Sequence, residues 1–465
     1  MAAIAMSALV GVVPAAGTER AAGPAPAAGT ILWVNRRSGP GAGFDGARSL
    51  VVSPDGSMVF VTGASERPGT GLDYLTEAID ASTGATMWTS RFNAAASGDD
   101  SATALAITPD GSSLFVTGSS DGGASTGLDY ATVSLNAATG AVRWVRRYNG
   151  PGSGADGGTA LVVSPDGATV YVTGSSAGVA SGADYATQAI NTASGAVRWV
   201  RRYNGPGNGA DTARSVAVTP DGATVVVTGQ SDGGSVTGAD YATEAISAAS
   251  GVNAWVARFD GQAHGTDGAV GVATATDGSR VFVTGTVKTV SAGDNIGTFA
   301  YNTTTGSVVW QRSFSQTATG DDEAVAIGVP ASGDKVVVNG SGPGTSSDST
   351  DFEMLVYDPA TGTKIRGNAV EPIGAVDRAL AVSDDGTKIA EGGQFVDIGT
   401  NSVDYYVAEW SGTTRPRGME YAALAGGTDS GYAAAFSPDG TRLYVTGQSE
   451  GTSTGYDYAT VAFIA

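Results

Sequence analysis

Gly56, Gly111, Gly167, Gly222, Gly278, Gly333, Gly386 and Gly440 each close a turn between two apolar runs, and they recur every 53 to 56 residues along a chain of 465. A period of that length marks an array of supersecondary units, each of which buries its apolar surface only against its neighbours. The same cassette surrounds each glycine. An apolar run is followed by a Pro-Asp-Gly-like turn, a Val-Thr-Gly run, a polar loop, Asp-Tyr-Ala-Thr and then Thr-Gly-x-x-x-Trp, with drift in the later copies.

Residues 160–203 show one unit in full. Ala160-Leu161-Val162-Val163-Ser164 is short and β-prone, and Pro165-Asp166-Gly167 reverses it into Thr169-Val170-Tyr171-Val172-Thr173. A Gly/Ser/Ala loop leads to a third run at 184–191, and Ser194-Gly195 turns that run into 196–203. Four short antiparallel strands per unit and eight units predict an all-β fold, an eight-bladed β-propeller occupying residues 29–465 as one domain. The ends are complementary. The last cassette stops after its third strand at 457–465, whereas Gly29-Thr30-Ile31-Leu32-Trp33 reads as a fourth strand without a unit of its own. Pairing the two completes the eighth blade, closes the ring and covers a bare sheet edge.

The repeated side chains divide into glue and charge. Trp33, Trp88, Trp144, Trp199, Trp255 and Trp310 share one position of the fourth strand. Ring-related copies cannot all face one ligand, so they read as wedges between blades, each contributing about 4–6 kcal/mol as an upper bound. Trp410 is off that register and reads as core. Asp45, Asp100, Asp156, Asp211, Asp267, Asp322, Asp377 and Asp429 fall one per repeat in the loop before the first strand. A second series, Asp73, Asp129, Asp184, Asp240, Asp351, Asp404 and Asp457, precedes the third strand, with Asn295 in the remaining copy. Both loop types leave a blade on the same face. The first series is a candidate Ca²⁺ set, since hard oxygen ligands near glycine-rich loops suit that ion. One carboxylate per loop falls short of six to eight ligands, so a hydrogen-bonded loop brace is the favoured reading.

Localised chemistry has to sit where the repeat is broken. His264, the single histidine, stands where other copies have Ser153 or Asn208; no nucleophile motif accompanies it, and a solvated loop residue is expected. The pairs Arg36-Arg37, Arg146-Arg147 and Arg201-Arg202 fall on outer strands and read as a solvated edge that discourages sheet pairing. The fifth to seventh cassettes drift most, with Lys288 in one loop, Arg366 in place of the tryptophan, and altered loops at 285–295, 340–349 and 392–403. A partner site is expected there first. Phe395 is the obvious loop aromatic for a glycan.

Composition narrows the partners. With 25 Lys and Arg against 45 Asp and Glu, the formal charge of −20 repels nucleic acid and anionic membrane surfaces. Cysteine is absent, which excludes disulfides, thiolate metal sites and a cysteine nucleophile. Residues 1–28 combine an apolar start with an Ala/Gly/Pro-rich run and small-residue cleavage sites, and read as an export signal plus linker; no stretch is long and apolar enough to span a bilayer.

The stretches 78–88 and 135–144, Ala-Ile-Asp-Ala-Ser-Thr-Gly-Ala-Thr-Met-Trp and Leu-Asn-Ala-Ala-Thr-Gly-Ala-Val-Arg-Trp, resemble the tryptophan-docking repeats of quinoprotein-like (PQQ-like) eight-bladed propellers. The Gly-x-Asp-Tyr and Val-Thr-Gly signatures are similar to short propeller repeats of bacterial exported proteins. The resemblance implies the fold, and it implies either a dehydrogenase or a non-catalytic scaffold. Family alcohol dehydrogenases cap their quinone with a vicinal disulfide and use an asymmetric Glu/Asn/Asp set, neither of which can be placed in this chain. The sequence therefore reads as an exported, monomeric, non-enzymatic binding or scaffold propeller without a cofactor. Its acidic loop face would meet a protein or glycan partner. The alternative is a PQQ-like or Ca²⁺-assisted oxidoreductase.

Overall fold

The computed structural model describes residues 27–465 apart from 42, 95–97, 291–292, 318–319, 344–349, 371–375, 398–401, 412–415 and 424–426. Residues 1–26 of the expected export segment, and parts of the three drifting loops, lie outside the described residues. The chain forms eight four-stranded antiparallel sheets. Blades 1 to 7 span 45–92, 100–148, 156–203, 212–259, 268–314, 323–370 and 376–421. Blade 8 takes three strands from 429–464 and its outermost strand, Ile31–Arg37, from the N-terminal side. Trp33 pairs with Ala462 and Arg37 with Tyr458, so the ring closes by the expected strand exchange. Among the described residues no helix is long and apolar enough to cross a membrane.

The first strand of each blade is innermost, and neighbouring first strands touch all the way round the channel. The turn to the second strand is held locally. In blade 1, Ser53 Oγ donates to Asp55 Oδ1 at 2.5 Å and the Ser57 amide donates to the same oxygen at 3.0 Å. Gly56 follows at a φ of +72° that other residues resist. Every inner strand carries one irregularity at the same place, between Ala47 and Ser49 in blade 1 and at the matching residues of the other seven. A bulge bends and twists the strand, which lets short inner strands wrap a narrow axis.

Two contacts join blade to blade. The Trp88 indole donates to the Ala137 carbonyl at 3.0 Å and lies on Gly140 of the next blade's third turn, where a Cβ would come within 2.5 Å of the ring. Trp33, Trp144, Trp199, Trp255 and Trp310 repeat this, donating to Ala81, Thr192, Ala248, Thr303 and Pro359. Deeper in the joint, Tyr74 donates to the Ala131 carbonyl at 3.2 Å, and Tyr130, Tyr185, Tyr241, Tyr405 and Tyr458 do the same into the following blade. A fully buried phenol requires a partner, and the next blade's strand supplies it.

Candidate functional site

The loop aspartates before the first strand face inward, not outward. Asp156 is 2 % exposed; its Oδ2 accepts from the Gly150 amide at 2.6 Å and its Oδ1 from the Ala177 amide at 2.8 Å. Asp100, Asp211, Asp267 and Asp429 make the same pair of bonds, while Asp45 holds Gly39 and Asp322 holds Gln316. In the five blades with both bonds the carboxylate ties the incoming loop to the end of the second strand. Burial raises the pKa of Asp45, Asp100, Asp211 and Asp267 above the usual range, against these hydrogen bonds. Asp377 is not the seventh member of this ring. It pairs with Gly393, as Ala47 pairs with Gly63, and so sits two residues further along the inner strand, fully buried. The residue in register with Asp45, number 375, lies outside the described residues.

The second aspartate series is clamped by arginine. Arg202 Nη2 meets Asp184 at 2.7 Å, its Nη1 donates to Ser176 Oγ at 2.5 Å, and Arg36, Arg147 and Arg258 grip Asp457, Asp129 and Asp240 alike. The other arginine of a pair crosses the joint. Arg201 meets the buried Glu244 of the next blade at 2.6 Å, and Arg37 meets Glu77. The arginine pairs therefore differ from the solvated edge expected of them. Their stems lie over the blade, and five of the six heads neutralise carboxylates that the repeat buries, while Arg146 donates to the Gly195 carbonyl of the next blade.

Blades 5 to 7 depart from the repeat, each in part. Ile296 and Phe352 occupy the tyrosine position, so the joints from blade 5 to 6 and from 6 to 7 lack the phenol bond. In blade 6 the register of the clamping arginine holds Ala369, and Glu353 replaces the small residue that faces it. Glu353 is 1 % exposed and neither carboxylate oxygen meets a hydrogen-bond donor. Burial, followed by its proximity to Asp322, pushes it up to about 9. Gln316 Nε2 takes over Asp351 at 3.0 Å. Across the next joint Arg366 and Arg417 stand at the docking-tryptophan position. Trp410, buried as core, approaches from blade 7 instead; Arg366 stacks on it at 4.5 Å, and the indole Nε1 donates to Glu391 at 3.1 Å. Burial pushes Glu391 up to about 8. Asn339 Nδ2 donates to Asp377 at 2.5 Å in the same joint.

A cavity of about 430 Å³ opens over blades 4 to 6, lined in part by Arg214, Gln230, Thr286, Lys288 and Glu323. Lys288 is paired with Asp294 at 2.7 Å. Nearby, carboxylate oxygens of Asp240, Asp260 and Asp267 lie within 4.8 Å of one another. Each is already engaged, by Arg258, by His264 and by two backbone amides respectively, so a cation would have to displace those partners. His264 is exposed, and its Nδ1 lies 2.6 Å from Asp260. Its φ of +50° matches Ser153 and Asn208, which confirms the three as one loop position. The loop tips carry a signal that the repeat comparison missed: Val179, Val236 and Val290, on blades 3, 4 and 5, are 78, 76 and 74 % exposed. Tabulating the non-repeating loop residues by polarity would have found them.

Residues 73–244, which include four of the Asp-Tyr strands, match the family described as outer membrane protein assembly factor BamB. The chain is an eight-bladed propeller repeat protein that is PQQ-like over the matched stretch. Among solved structures it is similar to Sqt1 of Chaetomium thermophilum, at 13 % identity and a TM-score of 0.55, covering 91 % of this chain and 96 % of that one. Sqt1 bound to the N-terminus of the ribosomal protein L10 gives a TM-score of 0.56 at 13 % identity, covering 92 % and 98 %. Kuenenia stuttgartiensis hydrazine synthase matches at 14 % identity over 89 % of this chain and 94 % of its own, with a TM-score of 0.43. At such identities the likeness is one of fold. No curated protein matches the chain.

Proposed function

We propose that this PQQ-like propeller is an exported, non-enzymatic, monomeric binding module that meets a protein partner on its loop face, over blades 3 to 5. The division of labour on that face carries the reading. Its repeated carboxylates and arginines are turned inward on one another, and the side chains turned outward at three successive loop tips are valines. Charged groups engaged in holding loops are not free to act as acids or bases on a substrate, whereas exposed aliphatic tips gain by being covered. Apolar tips also favour a protein over a glycan, which selects aromatic platforms and free polar groups. The family match to an assembly factor and the peptide-bound state of Sqt1 agree with a propeller used as a docking surface.

The test is a photo-crosslinking amino acid placed at position 236 of the full chain, with position 85 on the opposite face as control. The expected result is one adduct of discrete mass from position 236 that disappears in V179S/V290S. Adducts from position 85 alone, or none from 236, would overturn the reading.

A further inference from the structure

Each inner strand leaves one residue out of its pairing at the bulge, and these eight residues form a ring round the channel. Four are uncharged and compact: Thr103, Thr159, Val270 and Val325. The others are Arg48, Arg214, Arg378 and Tyr432, from blades 1, 4, 7 and 8. Arg48 and Arg378 reach Tyr432 from the blades on either side, with their Cζ atoms 4.5 and 5.1 Å from its ring centre. The two guanidinium groups are thus no farther apart than the sum of those distances. Arg214 stands on the blade opposite.

We propose that this ring binds a compact anion carrying two or more negative charges, held between Arg48 and Arg378 beside Tyr432 with Arg214 across the channel. The inference is independent of the partner on the loop face. Arg36, Arg37, Arg147, Arg201, Arg202 and Arg258 each take a carboxylate. Among the described residues Arg48 and Arg214 form no hydrogen bond or ion pair, and Arg378 reaches only Gln394 Oε1 at 3.5 Å. Glu323 shares the cavity beside Arg214 without pairing with it. In a chain of net charge −20 the absence of a partner is no shortage of acids.

Two cations on one phenol ring repel each other, and the ring's quadrupole offsets this only in part. An oxyanion between them reverses the sign of the interaction, and the planar guanidinium fork fits carboxylate and phosphate alike. The size limit comes from the approach. Asp55, Asp110, Asp166 and Asp221 stand exposed on the turns at the lower mouth, and hydrogen bonds from Ser53, Thr108, Ser164 and Thr219 hold their pKa values down, so they stay charged. A long polyanion threading the channel would lie against these charges, and a compact one passes them.

Calorimetric titration of the full chain with citrate, and separately with inorganic phosphate, at low salt tests this. Saturable binding of at least one is expected, weakened at least tenfold in R48M/R378M and several-fold in R214M, and unchanged in R198M on an outer strand. If the double variant fails to fold, R214M and Tyr432→Leu carry the comparison. Tighter citrate binding assigns a polycarboxylate, tighter phosphate binding a phosphate ligand. The proposal falls if neither anion binds, or if all variants bind like the parent chain.

Discussion

The Tyr458 hydroxyl donates to the Leu75 carbonyl at 3.1 Å across the seam where the last blade meets the first. The bond is fully buried, and the chain separates its two ends by nearly the whole propeller. Tyr458→Phe keeps the ring's packing and leaves the Leu75 carbonyl without its phenol. A loss of about 1–2 kcal/mol is expected, read as a lower urea midpoint at unchanged slope.

Trp199 donates to Ala248 at 2.9 Å and lies on Gly251, whose φ is +71° and whose added Cβ would approach the indole to 2.8 Å. Trp199→Ala should cost about 3–5 kcal/mol through the cavity it leaves. Gly251→Ala, though far smaller, should also destabilise, because it strains the turn and displaces the ring. Thermal melts of both variants check this; a neutral Gly251→Ala would show that the indole does not depend on the turn.

Removing one partner of a buried pair leaves the other charge stranded. Arg201→Met strands Glu244, which is 2 % exposed, and should cost about 3 kcal/mol, whereas the double change R201M/E244M should recover most of it. A double-mutant cycle in urea measures the coupling.

Glu353 and Glu391 have folded-state pKa values raised to about 9 and about 8 by burial, above the 4.5 of a free side chain. The folded protein therefore holds protons that the unfolded chain has released. Their contribution is fully present below about pH 4.5 and is lost as pH rises through 8 to 9. The melting temperature should fall between pH 6 and 9, and E353Q and E391Q should each flatten that fall. Variants that melt with the parent's pH dependence would refute it.

The first-series aspartates are occupied by backbone amides, so calcium has little to gain. Millimolar Ca²⁺ and chelator should leave the melting temperature within about 1 °C of each other, since only a ligand of the folded state shifts it.

The features that repeat were readable from the amino-acid sequence. The turn glycines, the docking tryptophans and the strand shared between the chain's ends each follow from a local pattern that recurs. The arginine pairs were not readable, because alternation along a strand says which face a side chain leaves from, and not where a long stem ends. Arg202 finds an aspartate 18 residues back, and Arg201 a glutamate on another blade. Asp377 was misplaced for a related reason. Its blade lacks the Val-Thr-Gly marker, having Glu391-Gly392-Gly393 there, so only the pairing with Gly393 fixes its register. The channel ring escaped altogether: a bulge residue belongs to neither face of the alternation, and its neighbours in space come from other repeats.

The strand Ile31–Arg37 leaves the ribosome before any of the seven blades that follow it, yet its partner, Gly455–Ile464, leaves after all seven. Seven blades can assemble in sequence while the latch waits unpaired. The ring is a clasp that cannot fasten until Gly455–Ile464 has been made, so whatever holds the leading strand before then governs whether the chain closes on itself or on a neighbour.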